Sequence, residues 1–220
     1  MYKFIKRLVD VAIALIALII LSPLLVVVIL ALAFTGEHEI FYFQKRVGFR
    51  NRTFYIWKFA TMLKNSVNIG TGAITLRNDP RVTFVGKFLR ITKINELPQV
   101  FNVLNGDMSI VGPRPLMPQS FEMYSEEVKS KIYNWKPGIT GIGSLVFRDE
   151  ESLLSTSDNV QAMYATIYTY KGKLEMWYQS HISFYTDFMI MFLTGWSILF
   201  PGSKLLNRIF KDLPLRDNFE

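Results

Sequence analysis

The sequence predicts an α+β fold: an N-terminal membrane helix broken at Ser22-Pro23, then a small, mostly helical domain with few short strands. Three observations predict it. Val11 to Phe34 runs without a charge, short aromatic and β-branched runs lie near residues 41 and 53, and helical apolar stripes follow.

Composition bounds the function. A chain of 220 residues fits one domain with a membrane segment. Half the residues are hydrophobic and a fifth are charged, which excludes disorder. The absence of cysteine excludes disulfides, zinc-thiolate sites, iron–sulfur ligation and a cysteine nucleophile. With only His38 and His181, a histidine-rich metal site is excluded too. The net charge of +7 points to anionic partners: lipid headgroups, nucleotides or nucleic acid.

The apolar run is long enough to cross a membrane, which takes about 20 residues. It is too long for the core of a cleaved signal peptide, and Gly36-Glu37-His38-Glu39 offers no small-residue cleavage pattern. The segment is therefore expected to be retained. Pro23 lies at its middle, lacks an N–H and predicts a kink, with Ser22 placed to bond a freed backbone group. Lys3, Lys6 and Arg7 precede the run; Lys45, Arg46, Arg50 and Arg52 follow it. The positive-inside rule keeps both flanks cytoplasmic. Two placements remain open at this point: a re-entrant helix that leaves by the face it entered, and an ordinary kinked span. The expected division is 1–36 for the membrane helix and 37–220 for a cytoplasmic, membrane-associated domain.

Beyond it, Phe41-Tyr42-Phe43 and Thr53 to Trp57 read as short strands, and Ser66 to Asn78 as a polar loop. Phe84 to Ile91 reads as a short helix. Leu97, Val100, Phe101 and Leu104 form a helical stripe, with Asn95 as N-cap, Pro98 in the first turn and Asn105-Gly106 as the stop. That helix start would favour an anion beside Asn95 and Glu96. In Gly112-Pro113-Arg114-Pro115 two prolines fix the backbone around Arg114. Such a guanidinium suits a diphosphate, although a turn with a solvated arginine has the same sequence. Ser120 to Asn134 is one amphipathic helical pattern, and Lys136 to Gly143 a glycine-rich loop without a P-loop's lysine. Phe188 to Phe200 is too short to span and suits an interfacial or core helix.

Read together, these motifs resemble the bacterial sugar transferases, the monotopic phosphoglycosyl transferases that start glycan assembly on a polyprenol carrier. The resemblance runs through Lys6-Arg7 with Asp10, the break at Ser22-Pro23, Phe43 to Gly48, Trp57 to Met62, and Asp79-Pro80-Arg81-Val82-Thr83. It is densest over Asn95 to Gln99 with Gly106 to Pro115, and Lys136 to Gly141 completes it. It implies that a phosphosugar passes from a UDP-sugar to undecaprenyl phosphate, giving polyprenyl-diphosphate-sugar and UMP, with Mg2+ required. It also implies a re-entrant helix, placement on the cytoplasmic face of the bacterial inner membrane, and amphipathic helices along the inner leaflet. Anionic membrane lipids are the further partner, and a homodimer is kept open.

One position departs from the family. Its pattern is Asp-Glu-Leu-Pro-Gln, whose aspartate forms the covalent intermediate and whose glutamate helps hold magnesium. Here the first position is Asn95, and a carboxamide oxygen is a far weaker nucleophile. Glu96 keeps the magnesium position. Three explanations compete: another carboxylate (Glu96 or Asp107) or direct attack by the polyprenyl phosphate; a substitution of an original aspartate; or an inactive paralogue serving as a substrate-binding scaffold.

The resemblance implies a catalytic pair, Asn95 and Glu96, and a phosphate-binding set of Arg90, Lys58, Arg114 and Pro113. Lys58 could equally be a solvated strand residue, and Asp107 a cap after Gly106. Arg148-Asp149-Glu150-Glu151 reads as a solvated acidic run, His181 as structural, and Asp10 as the partner of Lys6 or Arg7. A nucleic-acid binder is disfavoured, because the basic residues are scattered and no binding motif appears.

Overall fold

The computed structural model describes residues 1–66, 79–155, 157 and 159–214. The polar loop expected from Ser66 to Asn78 lies outside the described residues from 67 onward.

The first helix, α1 (Tyr2–Ala33), continues through Pro23, so Ser22-Pro23 is an interior position and not the end of a helix. The physical reason is local. Pro23 deprives the Ile19 carbonyl, four residues back, of its N–H donor, and Ser22 Oγ donates to that oxygen at 2.8 Å instead. Asp10, Ala14, Leu25, Val28 and Leu32 are the buried residues of α1 and fall on one helical stripe. The rest of the helix exposes large apolar side chains, among them Phe4, Ile16, Ile19, Ile20 and Val27. A 32-residue helix of this composition is long and apolar enough to cross a membrane.

Two strands, β1 (Phe41–Val47) and β2 (Thr53–Phe59), pair antiparallel from Phe41 opposite Phe59 to Val47 opposite Thr53. Helix α2 (Phe84–Ile91) takes the bounds its sequence predicts, because Thr83 caps it by accepting from Gly86 N–H at 3.0 Å. Helix α3 (Gln99–Asn105) stops at Gly106, whose φ of 87° is left-handed. Its start differs from expectation: Pro98 occupies the cap, and Asn95 lies earlier, inside a 3-10 turn over Ile94–Glu96.

Strand β3 (Ser109–Val111) pairs in parallel with β4 (Gly138–Thr140), which lies within the segment read as a glycine-rich loop. The helical pattern from Ser120 to Asn134 resolves into two pieces, α4 (Pro118–Phe121) and α5 (Glu126–Lys131). The division follows from Ser125, which caps α5 by accepting from Val128 N–H. Short helices α6 (Ile142–Val146) and α7 (Glu150–Ser155) lead to the long α8 (Val160–His181), α9 (Phe184–Leu199) and α10 (Leu205–Ile209).

Helix α1 sits on the domain through polar as well as apolar contacts. Asp10 does not pair with Lys6 or Arg7; it is buried and accepts from Ser109 Oγ at 2.7 Å and Ile110 N–H at 3.0 Å. Arg7 instead donates to the Val103 and Leu104 carbonyls at the end of α3. Lys6 pairs with Asp187 on α9, which also accepts from Tyr2 and Tyr178. Below these clamps, Ala14 packs with Ile56, Val100, Val103 and Met108, and Leu25, Val28 and Leu32 pack with Phe59 and Leu89. A separate core joins α6 and α7 to α8, α9 and α10 around Ile167, Leu174 and Ile190.

Candidate active site

Three of the predicted residues converge from three parts of the chain. Lys58 Nζ, from β2, lies 2.8 Å from Glu96 Oε1, and Arg114 Nη2 donates to the same oxygen at 3.1 Å. Lys58 is therefore no solvated strand residue. Asn102, within α3, sets the strand position: its side chain accepts from Trp57 N–H and donates to the Tyr55 carbonyl, fixing β2 on either side of Ile56. Glu96 is delivered by its 3-10 turn, which Lys93 opens in a left-handed conformation at φ 60°.

Arg114 is held at both backbone ends. Tyr133 Oη donates to its carbonyl at 2.8 Å and accepts from Leu116 N–H at 3.0 Å. The preceding Pro113 carbonyl accepts from Gly138 N–H at 2.9 Å. Glycine is required where these backbones meet: a Cβ on Gly112 would stand 2.4 Å from the Lys136 carbonyl oxygen. Pro113 is thus fixed in place through its backbone carbonyl.

The electrostatics follow from burial. Lys58 and Arg114 hold the Glu96 carboxyl well below its ordinary range despite desolvation, so it is ionised at neutral pH. Burial pulls Lys58 down to about 8, against the opposing pull of Glu96. The nearby Arg46, buried and facing Arg114, is lowered to about 10. One carboxylate among these cations leaves net positive charge for an anion.

Glu96 and Arg114 line a cavity of about 630 Å³, a size suited to a small-molecule site. Ala17, Leu18, Leu21 and Leu25 of α1 form an apolar wall, and Lys93 and Arg148 add cations.

A model of the bacterial sugar transferases matches residues 1–201. The chain belongs to that family. An undecaprenyl-phosphate galactose phosphotransferase of Salmonella typhimurium is 32% identical over 211 residues, covering 90% of this chain and 41% of that protein. An undecaprenyl-phosphate glucose phosphotransferase of Komagataeibacter xylinus is 38% identical over 157 residues, covering 66% of this chain and 30% of the relative. The exopolysaccharide production protein ExoY of Rhizobium meliloti is 30% identical over 203 residues, covering 86% and 83%. The chain spans less than half the length of the first two.

Other predicted positions of this sugar transferase family member have surroundings of their own. Arg90 directs Nη1 toward Met62 Sδ at 3.9 Å and is not among the residues that line the cavity. Asn95 is buried, and its Oδ1 has no hydrogen-bond partner among the described residues. Asp107 accepts a long bond from Asn102 Nδ2 at 3.4 Å. His181 stacks on Trp177 and bonds its carbonyl, a structural role.

The run at Arg148 is not simply a solvated acidic stretch. Arg148 and Glu150 line the cavity, and Glu150 Oε2 lies 2.7 Å from Lys171 Nζ; the Glu151 side chain lies outside the described residues. Lys171 and Glu175, neither singled out by motif, line the same cavity from α8. Their one legible signal is an i, i+4 charge pair in a helix rich in tyrosine and other large apolar side chains. Among the described residues no three His, Asp or Glu side chains gather as a metal site.

Proposed function

We propose that the chain transfers a phosphosugar from a UDP-sugar to undecaprenyl phosphate, giving polyprenyl-diphosphate-sugar and UMP. This is the first membrane step of glycan assembly, whether of O-antigen, capsule, exopolysaccharide or glycoprotein. The observation that carries the reading is the Lys58–Glu96–Arg114 cluster, whose Glu96 and Arg114 line a cavity with an apolar wall from α1. Cations beside an apolar helix wall suit a soluble diphosphate and a lipid phosphate at once.

The chemistry is a phosphoryl transfer, in which positioning and charge stabilisation supply most of the catalysis. Glu96 has one oxygen engaged by two cations, and Asn95 offers only a carboxamide. Both facts favour direct attack: an oxygen of undecaprenyl phosphate bonds to the sugar-bearing phosphorus, and the diphosphate P–O bond breaks toward UMP. Arg114 and Lys58 then stabilise the charge that UMP carries away.

The ionised Glu96 carboxylate on the cavity wall suits an Mg2+ that takes its other ligands from diphosphate and water. Glu96 would hold it. When bound, the ion neutralises phosphate charge. The exposed aromatics of α2 (Phe84, Phe88) and α9 (Tyr185, Phe188) suit helices lying in the interface of anionic lipid. With α1 re-entrant over 1–36, the domain over 37–220 would rest on the cytoplasmic face of the bacterial inner membrane as a monotopic protein.

Asn95 favours a second reading, a membrane-bound scaffold that binds substrate without turnover. The test is mass-spectrometric detection of the lipid product from detergent-purified chain, undecaprenyl phosphate, Mg2+ and a UDP-sugar panel. Product from the chain as it stands supports the enzyme. Product only from Asn95→Asp supports a disabled site, and none from either, with UDP still bound, supports the scaffold.

A further inference from the structure

Four buried polar atoms lack a hydrogen-bond partner among the described residues and belong to residues that line one cavity: Ser144 Oγ, Arg148 Nη1, Glu150 Oε1 and Glu175 Oε2. They come from α6, the segment before α7, α7 itself and α8. A single orphaned polar atom is a packing imperfection; four around one cavity call for partners that enter it. Glu175 makes the strongest case, being 3% exposed. Its carboxylate is faced by the backbone N–H groups of Arg114 and Gly143, yet Oε2 is left over.

The chemistry of the set selects the ligand. A second phosphate is disfavoured, because it brings no donor for the orphaned Glu150 carboxylate oxygen. A divalent cation is disfavoured too, because it offers no acceptor to the orphaned Arg148 Nη1 donor. Carboxyl oxygens, a hydroxyl and a guanidinium together match hydroxyl groups that both donate and accept. A sugar ring presents such groups side by side. Burial raises the Glu175 carboxyl to about 8, so it is protonated at neutral pH and can itself donate.

We infer that the Ser144, Glu150 and Glu175 side of the cavity, braced by Lys171, seats the sugar ring of the donor and sets its choice of neutral hexose. This deepens the proposed function and rests on it. The continuity of the two halves supports the placement: the Arg114 side chain bonds Glu96, and its backbone N–H faces Glu175. A diphosphate held at Arg114 would carry its sugar next to these orphaned atoms.

The test is equilibrium binding, which does not depend on turnover. Calorimetry on the detergent-purified chain measures affinity for UDP and for UDP-glucose, UDP-galactose and UDP-N-acetylglucosamine. Variants are Glu150→Gln, Ser144→Ala and Glu175→Gln. The expected result is about tenfold weaker binding of the preferred UDP-hexose, with UDP changed by less than about twofold. Variants that keep the wild-type ratio of UDP-hexose to UDP affinity would overturn the inference, as would a parallel loss of both ligands. If Glu175→Gln does not fold, the other two variants decide. Wild-type chain that binds neither UDP nor any UDP-hexose overturns the donor reading itself, and the inference falls with it.

Discussion

Lys58 and Arg114 share one acceptor, Glu96 Oε1, at 2.8 and 3.1 Å. The sharing ties a strand of the hairpin to the proline-bounded turn after β3 and leaves the cluster one positive charge in excess. Diphosphate binding should therefore depend on Lys58 remaining charged. Its pKa is lowered to about 8, so UDP affinity should fall as pH rises through that value. Lys58→Arg, which does not deprotonate, should remove the step. Stability has the opposite sign: between about 8 and the ordinary value of 10.5 the unfolded chain binds more protons, so this contribution rises with pH. UDP affinity measured across the range, in both proteins, checks the first claim; a step retained in Lys58→Arg would contradict it.

The Asp10 clamp predicts an ordered pair of stability losses. Asp10→Ala leaves Ser109 Oγ and Ile110 N–H without their acceptor and should cost about 1–3 kcal/mol. Asp10→Asn keeps one acceptor oxygen and should cost less. Thermal unfolding in detergent reports the order; equal losses would mean that the carboxylate's charge carries the clamp and that one neutral acceptor oxygen contributes nothing.

The Ser22 bond is predicted to matter only because of Pro23. Ser22→Ala should destabilise the chain by about 0.6 kcal/mol, a typical value for a hydrogen bond in a membrane helix. In a Pro23→Ala background, where the Ile19 carbonyl regains an N–H, the same change should be neutral. A double-mutant cycle by denaturant unfolding in micelles measures the coupling, and zero coupling contradicts the account.

The re-entrant placement is open to direct labelling, because the chain contains no cysteine. Lys3→Cys lies in the first turn of α1 and Glu37→Cys beyond its end. Both should react with an impermeant maleimide only when the cytoplasmic face is exposed. Reaction of one of them from the opposite face would make α1 a span.

Local signals survived into the structure where a local bond enforces them. Thr83 and Gly86 fix the start of α2, and Gly106 fixes the end of α3. Ser125 divides a helix that periodicity alone reads as continuous, since the apolar spacing persists across the cap. Glu96 and Arg114 were legible because motif and spacing mark them, whereas the partners of Lys58 and Asp10 lie 38 and about 100 residues away. No periodicity carries that information. Arg148 and Glu150 look solvated beside other charges until Lys171 arrives from α8. Asn95 was legible as a departure, but its burial in a 3-10 turn follows from Pro98 taking the helix cap.

The central claim is that Glu96, held between two cations, organises transfer of a phosphosugar. The most direct measurement is UMP release from the UDP-sugar panel by the chain and by Glu96→Ala, with undecaprenyl phosphate and Mg2+ present. The account predicts release by the chain that depends on undecaprenyl phosphate and falls by at least about a hundredfold in Glu96→Ala. Release that is unchanged in Glu96→Ala, or none from the chain with any donor, would contradict it.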